Sequence, residues 1–405
     1  MGALSHIRVL DLSRVLAGPW ATQILGDLGA EIIKIEKPGE GDETRHFGPP
    51  FLKAADGSKA DATYFLAANR NKKSVAIDLS DPQGAALVKR LARRAHVVVE
   101  NFKTGGLARY GLDYQSLAAI NPALIYCSLT GFGHDGPYKD KAGYDYLVQG
   151  MAGLMSITGQ PDGAPGAEPM KVGVAVSDLL TGLYTTIAIL AAIVHQGQTG
   201  EGQEIDMALF DCQAAALANQ ASNYLVGHMV PTRLGNAHPN IVPYQVFATA
   251  DGFLILAVAN DAQFRRFAKV AGADAIAQDG RFNTNADRVQ HREVLVGLMK
   301  PIFETRTTNQ WIALLEAANV PCGPINRVDQ VFSDPQAIAR GLTISMAHAT
   351  GPLDLVASPL KLSRTPPEYH LPPPLLGEHT DAVLRDVLGL DADALGALRK
   401  QGVVG

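Results

Sequence analysis

Asp178 is a carboxylate in a setting that admits chemistry. It lies near the start of the apolar stretch Val172 to Gln196, VGVAVSDLLTGLYTTIAILAAIVHQ. A helix beginning near Val174 to Val176 puts Asp178 in its first turn, where the positive end of the helix dipole favours an ionised carboxyl. Backbone N–H groups of that turn are placed to stabilise an oxyanion. A carboxylate is able to attack an activated acyl group and split one hard transfer into easier steps. Read alone, the position is that of an ordinary N-terminal helix charge. The stretch is long enough to cross a bilayer, but it carries a charge and lacks an aromatic belt or strongly basic flank. It reads as a buried core helix, and no membrane partner is expected.

Other chemistries find little support. Cys127, Cys212 and Cys322 are far apart and form no CxxC pair, so no zinc cage, other metal site or disulfide framework is expected. The N-terminus, MGALSHIRVLDLS, lacks the basic start and long apolar run of a signal peptide. Together these features predict a reduced, cytoplasmic protein. The net charge of -5 argues against a nucleic-acid partner. No GxxxxGK[ST] loop, HExxH pair or GxSxG elbow occurs. One GxGxxG string, Gly131 to Gly136, leads into PYKDK instead of an apolar helix. It reads as a glycine-rich loop at a strand end.

The elements that position these residues alternate strand and helix. The chain has 405 residues, of which 47% are hydrophobic and 19% charged, an ordinary balance for a globular enzyme of two to three domains. Strands are expected at Ile7 to Leu12, Glu31 to Glu36, Lys73 to Leu79, His96 to Phe102 and Ala123 to Ser128. Helices fall between them, one capped by Ser80 or Asp81 with Pro82 in its first turn. Continuous apolar runs suit a parallel sheet covered on both faces. The class is therefore α/β, with a large domain built on an open parallel sheet. Its first part is expected over 1–200, then a linker helix over 201–224 (a short strand at Gly202 to Asp206 leading into a helix to about Val226). A smaller α+β domain follows over 225–325, with a hairpin at Asp251-Gly252 and helices near 261–271, 287–303 and 308–318. Residues 326–405 return to complete the large domain and include a helix capped by Thr380.

Several stretches, in order along nearly the whole chain, carry a resemblance. They are LSRVLAGPWATQILGDLGAEIIKIEKPGEGDETR, NRNKKSVAIDL, VVENFKTGGLARYGL, GYDYLVQGMAGLMSITG, KVGVAVSDLLTG and PPPLLGEHT. Together they resemble the class III CoA-transferases, which include formyl-CoA, carnitine and succinyl-CoA:glutarate CoA-transferases. The resemblance implies a Rossmann-like large domain, a small domain and two chains interlocked as a homodimer. It implies acyl-CoA and a small carboxylic acid as substrates, with no tightly bound cofactor.

The resemblance also assigns residues. Asp178 becomes the nucleophile, and Tyr144 borders the active site. Arg14, Val15, Leu16, Ala17, Lys37, Lys72, Asn101, Phe102 and Arg109 line the coenzyme pocket. Lys37, Lys72 and Arg109 are suited to phosphates, and Phe102 to packing against adenine or pantetheine. Some members have histidine where Arg14 stands. The loop Arg233 to Gln245 is expected near the active site, and Arg233 and His238 are suited to a distal substrate carboxylate. Only Gly235 stands in that loop, so no glycine-run lid is supported. The stretches RLGNAHPNIVPY, CGPINRVDQVF and PPPLLGEHT resemble the dicarboxylate-using branch, which makes succinyl-CoA or another dicarboxylyl-CoA the expected donor.

Two alternatives stay open. Acyl-CoA racemases of the same family abstract an α-proton with a His/Asp pair, and this chain has the Tyr144 segment where their histidine falls. A tyrosine of ordinary pKa about 10 is a poor base near neutrality. A non-catalytic CoA-binding protein is the second alternative, against which Asp178 stands.

Overall fold

The computed structural model describes residues 1–54 and 57–405. They form two compact units. The first comprises Met1–Leu154, Val172–Ser222 and Gln336–Gly405; the second comprises Met155–Lys171 and Asn223–Pro335.

The first unit is built on six strands: β1 (Arg8–Asp11), β2 (Glu31–Glu36), β3 (Lys72–Ala76), β4 (Val97–Glu100), β5 (Ile125–Thr130) and β6 (Gln203–Ala208). Their order is β3-β2-β1-β4-β5-β6, and every neighbouring pair is parallel. Successive side chains of a strand point to opposite faces. Val9 and Leu10, Ile32 and Ile33, and Val97 and Val98 accordingly enter two different cores. Both faces are covered, so the strands are apolar throughout. Helix α1 (Ala17–Asp27) contributes Leu25 to one core, and helix α2 (Pro82–Ala92) contributes Leu87, Val88 and Leu91 to the other. Asp81 is the cap of α2, accepting from the Gln83 N–H at 2.7 Å.

Helix α3 (Asp145–Met151) precedes the long helix α4 (Val176–Thr199). Among the described residues α4 is the one helix long and apolar enough to cross a membrane. Thr181, Thr185, Ile189 and Ala192 are buried. A Cβ at Gly182 would lie 2.8 Å from the Ala17 carbonyl oxygen, so α4 approaches α1 closely there. The opposite flank is open, with Ile187 61% and Val194 62% exposed. The expectation of a buried core helix therefore holds for one face only.

Three local expectations are corrected. The strand expected at the start of 201–224 is β6, but the one helix expected after it is two short helices, Leu209–Ala215 and Ala218–Leu225. Ala218 has φ +47°, which a right-handed helix does not tolerate. Thr380 is not the cap of helix α5 (Thr380–Leu388) but its first residue. Its hydroxyl accepts from the Ala76 N–H at 3.0 Å and donates to the Gly377 carbonyl at 2.9 Å, tying α5 to β3. The helix expected over 287–303 is two, Asn285–Gln290 and Arg292–Phe303.

The second unit carries an antiparallel sheet of Tyr244–Ala248, Phe253–Ala257 and Cys322–Pro324. Phe247, Phe264, Phe267, Phe303 and Trp311 fill its core.

Candidate active site

The strand order of the first unit reverses between β1 and β4, the point where open α/β sheets bind ligands beyond their strands' C-terminal ends. A cavity of about 210 Å³ lies there. Arg14 to Ala17 after β1, Asn101 to Thr104 after β4, the end of β5 and residues 139–145 line it, and Asp178 opens into it.

The turn after β1 is held by buried charges. The Asp11 carboxylate accepts from the Ser13 N–H at 2.9 Å, the Thr22 hydroxyl at 2.6 Å and Lys72 Nζ at 3.2 Å. Lys34 Nζ donates to the Ser13 carbonyl at 2.8 Å and to Asp42 at 2.9 Å. Asp42 in turn accepts from the Thr44 N–H at 3.0 Å and the Val15 N–H at 3.3 Å. Burial works against ionised Asp42, but Lys34 and the Thr44 N–H outweigh it and hold the carboxyl down at about 2. Val15 is thereby kept at φ +69°, a conformation a β-branched residue adopts only when its surroundings impose it. Asn101 spans the switch point, accepting from the Arg14 N–H at 2.9 Å and donating to the Arg14 carbonyl at 2.7 Å.

Phe102 lines this cavity and an adjoining one of about 300 Å³, which also holds Lys37 and the apolar side chains of Leu12, Ile35, Ile77 and Leu79. The Arg14 guanidinium pairs with Glu43 and lies 5.1 Å from the Phe102 ring centre. Lys37 is exposed and pairs with Glu40 at 2.6 Å.

Two expected phosphate ligands lie elsewhere. Lys72 is fully buried, and its ammonium donates to Asp11, the Pro19 carbonyl at 2.9 Å and Asn69 at 3.0 Å. Burial pushes it down to about 8, with Asp11 opposing. All three of its N–H donors are used, so it braces the β1 turn from below. Arg109 is exposed and lies 4.6 Å from the Tyr110 ring centre; it lines neither cavity.

Sequence reasoning passed over Lys103, Lys139 and Lys141, which line the first cavity. For Lys139 and Lys141 the available signal was the PYKDK run after the glycine-rich string. That loop closes on itself where Gly131 meets Gly143: a Cβ on either would come within 2.4 Å of the other's Cα. Only glycine allows such backbone contact.

Asp178 lies in the first turn of α4 and is 9% exposed. Its setting differs from the one expected of a helix N-terminus. Asp145 accepts from the N–H groups of Ser177 at 2.8 Å and Asp178 at 3.4 Å, and Gln149 holds Asp145 at 2.7 Å. The N–H groups of Val176 and Leu179 go to the carbonyls of Val174 and Ala175. The first turn therefore has no spare N–H for an oxyanion. Burial, then the Asp145 charge, raises the Asp178 carboxyl to about 7. Tyr144 stands at the rim, 68% exposed. Burial, then the charges of Asp178 and Asp145, raises the phenol of Tyr64, a residue not singled out from the sequence.

The substrate-loop residues belong to the second unit. Arg233 pairs with Asp162 and donates to the Gln160 carbonyl. Gly235, at φ +60°, donates its N–H to Gly159. His238 Nδ1 accepts from the Asn240 N–H at 3.1 Å, and its ring lies 5.3 Å from Tyr244.

Comparison with known proteins agrees with this geometry. The family model described as CoA-transferase family III matches residues 4–380. A succinate–glutarate CoA-transferase of Agrobacterium fabrum is 53% identical, with 96% of this chain and 97% of that protein covered. Succinyl-CoA:glutarate CoA-transferase of Mus musculus is 43% identical, over 100% of this chain and 91% of that protein. A crystal structure of a CAIB/BAIF family protein from Brucella suis superposes with a TM-score of 0.84 at 47% identity, covering 95% of this chain and 99% of that one. A match of this extent, on a parallel-sheet pocket with a buried carboxylate opening into it, makes this chain a member of CoA-transferase family III.

Proposed function

We propose that the protein moves CoA from succinyl-CoA to a dicarboxylic acid of the glutarate type, with Asp178 as the covalent carrier. The carrying observation is the buried Asp178 carboxyl, raised to about 7 and opening into the cavity at the switch point. The two relatives named for succinate and glutarate support the substrate pair. Arg14 to Ala17, Asn101, Phe102 and Lys37 receive the coenzyme in this reading.

The bonds balance without a further cofactor. An Asp178 oxygen attacks the thioester carbonyl, the C–S bond breaks, and CoA thiolate and an aspartyl–succinyl anhydride form. The thiolate attacks the Asp178 carbonyl carbon and releases succinate, leaving an aspartyl-CoA thioester. The acceptor carboxylate displaces the thiolate, which attacks the new acyl carbonyl and frees Asp178. Each attack replaces one difficult acyl transfer by an easier step.

Incubation with several acyl-CoA donors and a mixture of free acids, followed by mass spectrometry, tests this. New acyl-CoA species dependent on Asp178 are expected, with succinyl and glutaryl groups preferred. A preference for monocarboxylates would remove the substrate assignment. Deuterium entering the α-carbon without acid exchange would instead favour the racemase. Among the described residues lining the cavity there is no imidazole, which speaks against that reading.

The nucleophile must be ionised, so kcat/KM for acyl-CoA is expected to rise about tenfold per pH unit and level off above about pH 7. In Asp145→Asn the neighbouring charge is gone and the midpoint should move to lower pH. An unchanged or higher midpoint would disconnect Asp145 from the nucleophile.

A homodimer in a reducing cytoplasm completes the reading. The open apolar flank of α4, with Ile187 and Val194, supports a partner copy. Light scattering giving the mass of a single chain would remove it.

A further inference from the structure

We propose that Glu43 is a gate residue for the coenzyme: it holds Arg14 across the passage between the two cavities at the switch point, and CoA enters by taking Arg14 from it. The inference rests on the coenzyme reading of those cavities given above.

Arg14, Glu43 and Phe102 line both cavities. Asp178 opens into the one; Lys37 and the apolar side chains of Leu12, Ile35, Ile77 and Leu79 line the other. Their volumes are about 210 and 300 Å³. A drug-sized ligand already fills roughly 300–1,000 Å³, so a whole acyl-CoA needs both. Its thioester has to reach Asp178 while its nucleotide stays in the second cavity. The thin pantetheine arm then crosses the residues between them.

That crossing is shut by side chains alone. Arg14 Nη1 donates to Glu43 Oε1, and the guanidinium lies 5.1 Å from the Phe102 ring centre. A guanidinium and a carboxylate often join through two parallel hydrogen bonds, and here one is made. Arg14 Nε and Glu43 Oε2 are out of solvent and have no partner among the described residues. Polar atoms left in that state favour a ligand that supplies partners. The pantetheine arm carries amide carbonyls to accept from Arg14 Nε–H and amide N–H groups to donate to the carboxylate.

The backbone on both sides is fixed. Asn101 holds the Arg14 N–H at 2.9 Å and the Arg14 carbonyl at 2.7 Å. Asp42 and Thr44, which flank Glu43, are buried and joined through the Thr44 N–H at 3.0 Å. The Arg14 and Glu43 side chains are 42% and 44% exposed, so they rotate apart without opening a core. While they are paired the passage is closed, and apparent affinity for CoA is lowered by the fraction of molecules that are open.

Surface plasmon resonance with CoA over the immobilised full chain tests this in Glu43→Gln, Arg14→Ala and the double variant. Glu43→Gln should lower the Kd for CoA about fivefold, the scale of a half-exposed ion pair. The gain should lie in faster association, because no closed fraction turns the coenzyme away. In the Arg14→Ala background the same substitution should leave the Kd within about twofold, since Glu43 acts through Arg14. Plain repulsion between Glu43 and the phosphates of CoA would tighten binding equally in both backgrounds, and that result overturns the gate. So does a Glu43→Gln variant that binds CoA no more tightly than the unaltered protein, or a gain carried by slower dissociation. Lys37→Glu separates these outcomes from failure of the coenzyme reading. Lys37 is exposed, so the variant should fold, and the reversed charge in the second cavity should weaken CoA binding about tenfold. Weakened binding there, with no gain in Glu43→Gln, defeats the gate alone. Unaltered binding in Lys37→Glu defeats the coenzyme reading itself, and the gate with it.

Discussion

Asp178→Asn is expected to lose transfer activity by roughly 10⁴-fold or more, the scale seen when a covalent nucleophile is removed. The same variant is expected to be more stable than the unaltered protein at neutral pH. The Asp178 carboxyl is raised to about 7 in the fold, by burial first and then by Asp145. An aspartate in the unfolded chain titrates near about 3.9. The unfolded state therefore loses this proton more readily, and ionisation favours unfolding. The cost is absent below about pH 3.9, grows as pH rises toward 7 and is complete above it, reaching at most about 4 kcal/mol. Asparagine has the same shape without the charge and escapes that cost. Denaturant titrations at pH 4 and pH 8, beside acyl exchange assays, check both halves. A variant that still transfers CoA within about tenfold of normal would end the nucleophile assignment. One that is less stable at pH 8 would show that burial of the charge is not what raises the carboxyl. Stability given up at a reacting group is a common feature of active sites.

Lys34→Met should destabilise the protein by about 3–5 kcal/mol, the usual result of breaking a fully buried ion pair from one side. Lys34 and Asp42 have side chains 0% exposed and are 2.9 Å apart. Methionine fills the space of the lysine stem but leaves Asp42 without its cation and the Ser13 carbonyl without its donor. The Asp42 carboxyl, held at about 2 by Lys34 and the Thr44 N–H against burial, should rise in the variant. In the unaltered protein this group contributes stability above its unfolded value of about 3.9, and loses it as pH falls through about 2. The variant should consequently fail at a higher pH on acid titration. Because Asp42 also holds the Val15 N–H, affinity for CoA should weaken along with stability. Melting and acid transitions matching those of the unaltered protein would show that the buried charges do not brace the turn.

Much of the site was legible before the fold. Strands with apolar residues on both faces announce a parallel sheet, and residues following two such strands are natural pocket linings at the switch point. Arg14 to Ala17, Asn101 and Phe102 came from resemblance to a family, and they line the cavity at the switch point. Lys72 shows the limit. Its sequence context does not distinguish a lysine aimed at a ligand from one aimed at Asp11, because the strand's register alone decides which carboxylate it meets. Arg109 stands on a short 3-10 turn over 108–110 beside Tyr110 and lines neither cavity, a placement set by that turn. Lys139 and Lys141 were visible in PYKDK, but their approach depends on two glycines, Gly131 and Gly143, meeting across a loop.

The sequence by itself determined the α/β alternation, the position of Asp178 at a helix start and the family, because these follow from local periodicity and ordered motifs. Tertiary structure alone decided the state of Asp178. A carboxylate at a helix N-terminus is ordinarily favoured by the helix dipole, and here burial and the Asp145 carboxylate, which occupies the first-turn N–H groups, reverse that preference. The cause is physical: desolvation and charge at short range depend on which residues are neighbours in space, and Asp145 becomes a neighbour of Asp178 only when α3 and the start of α4 are packed together.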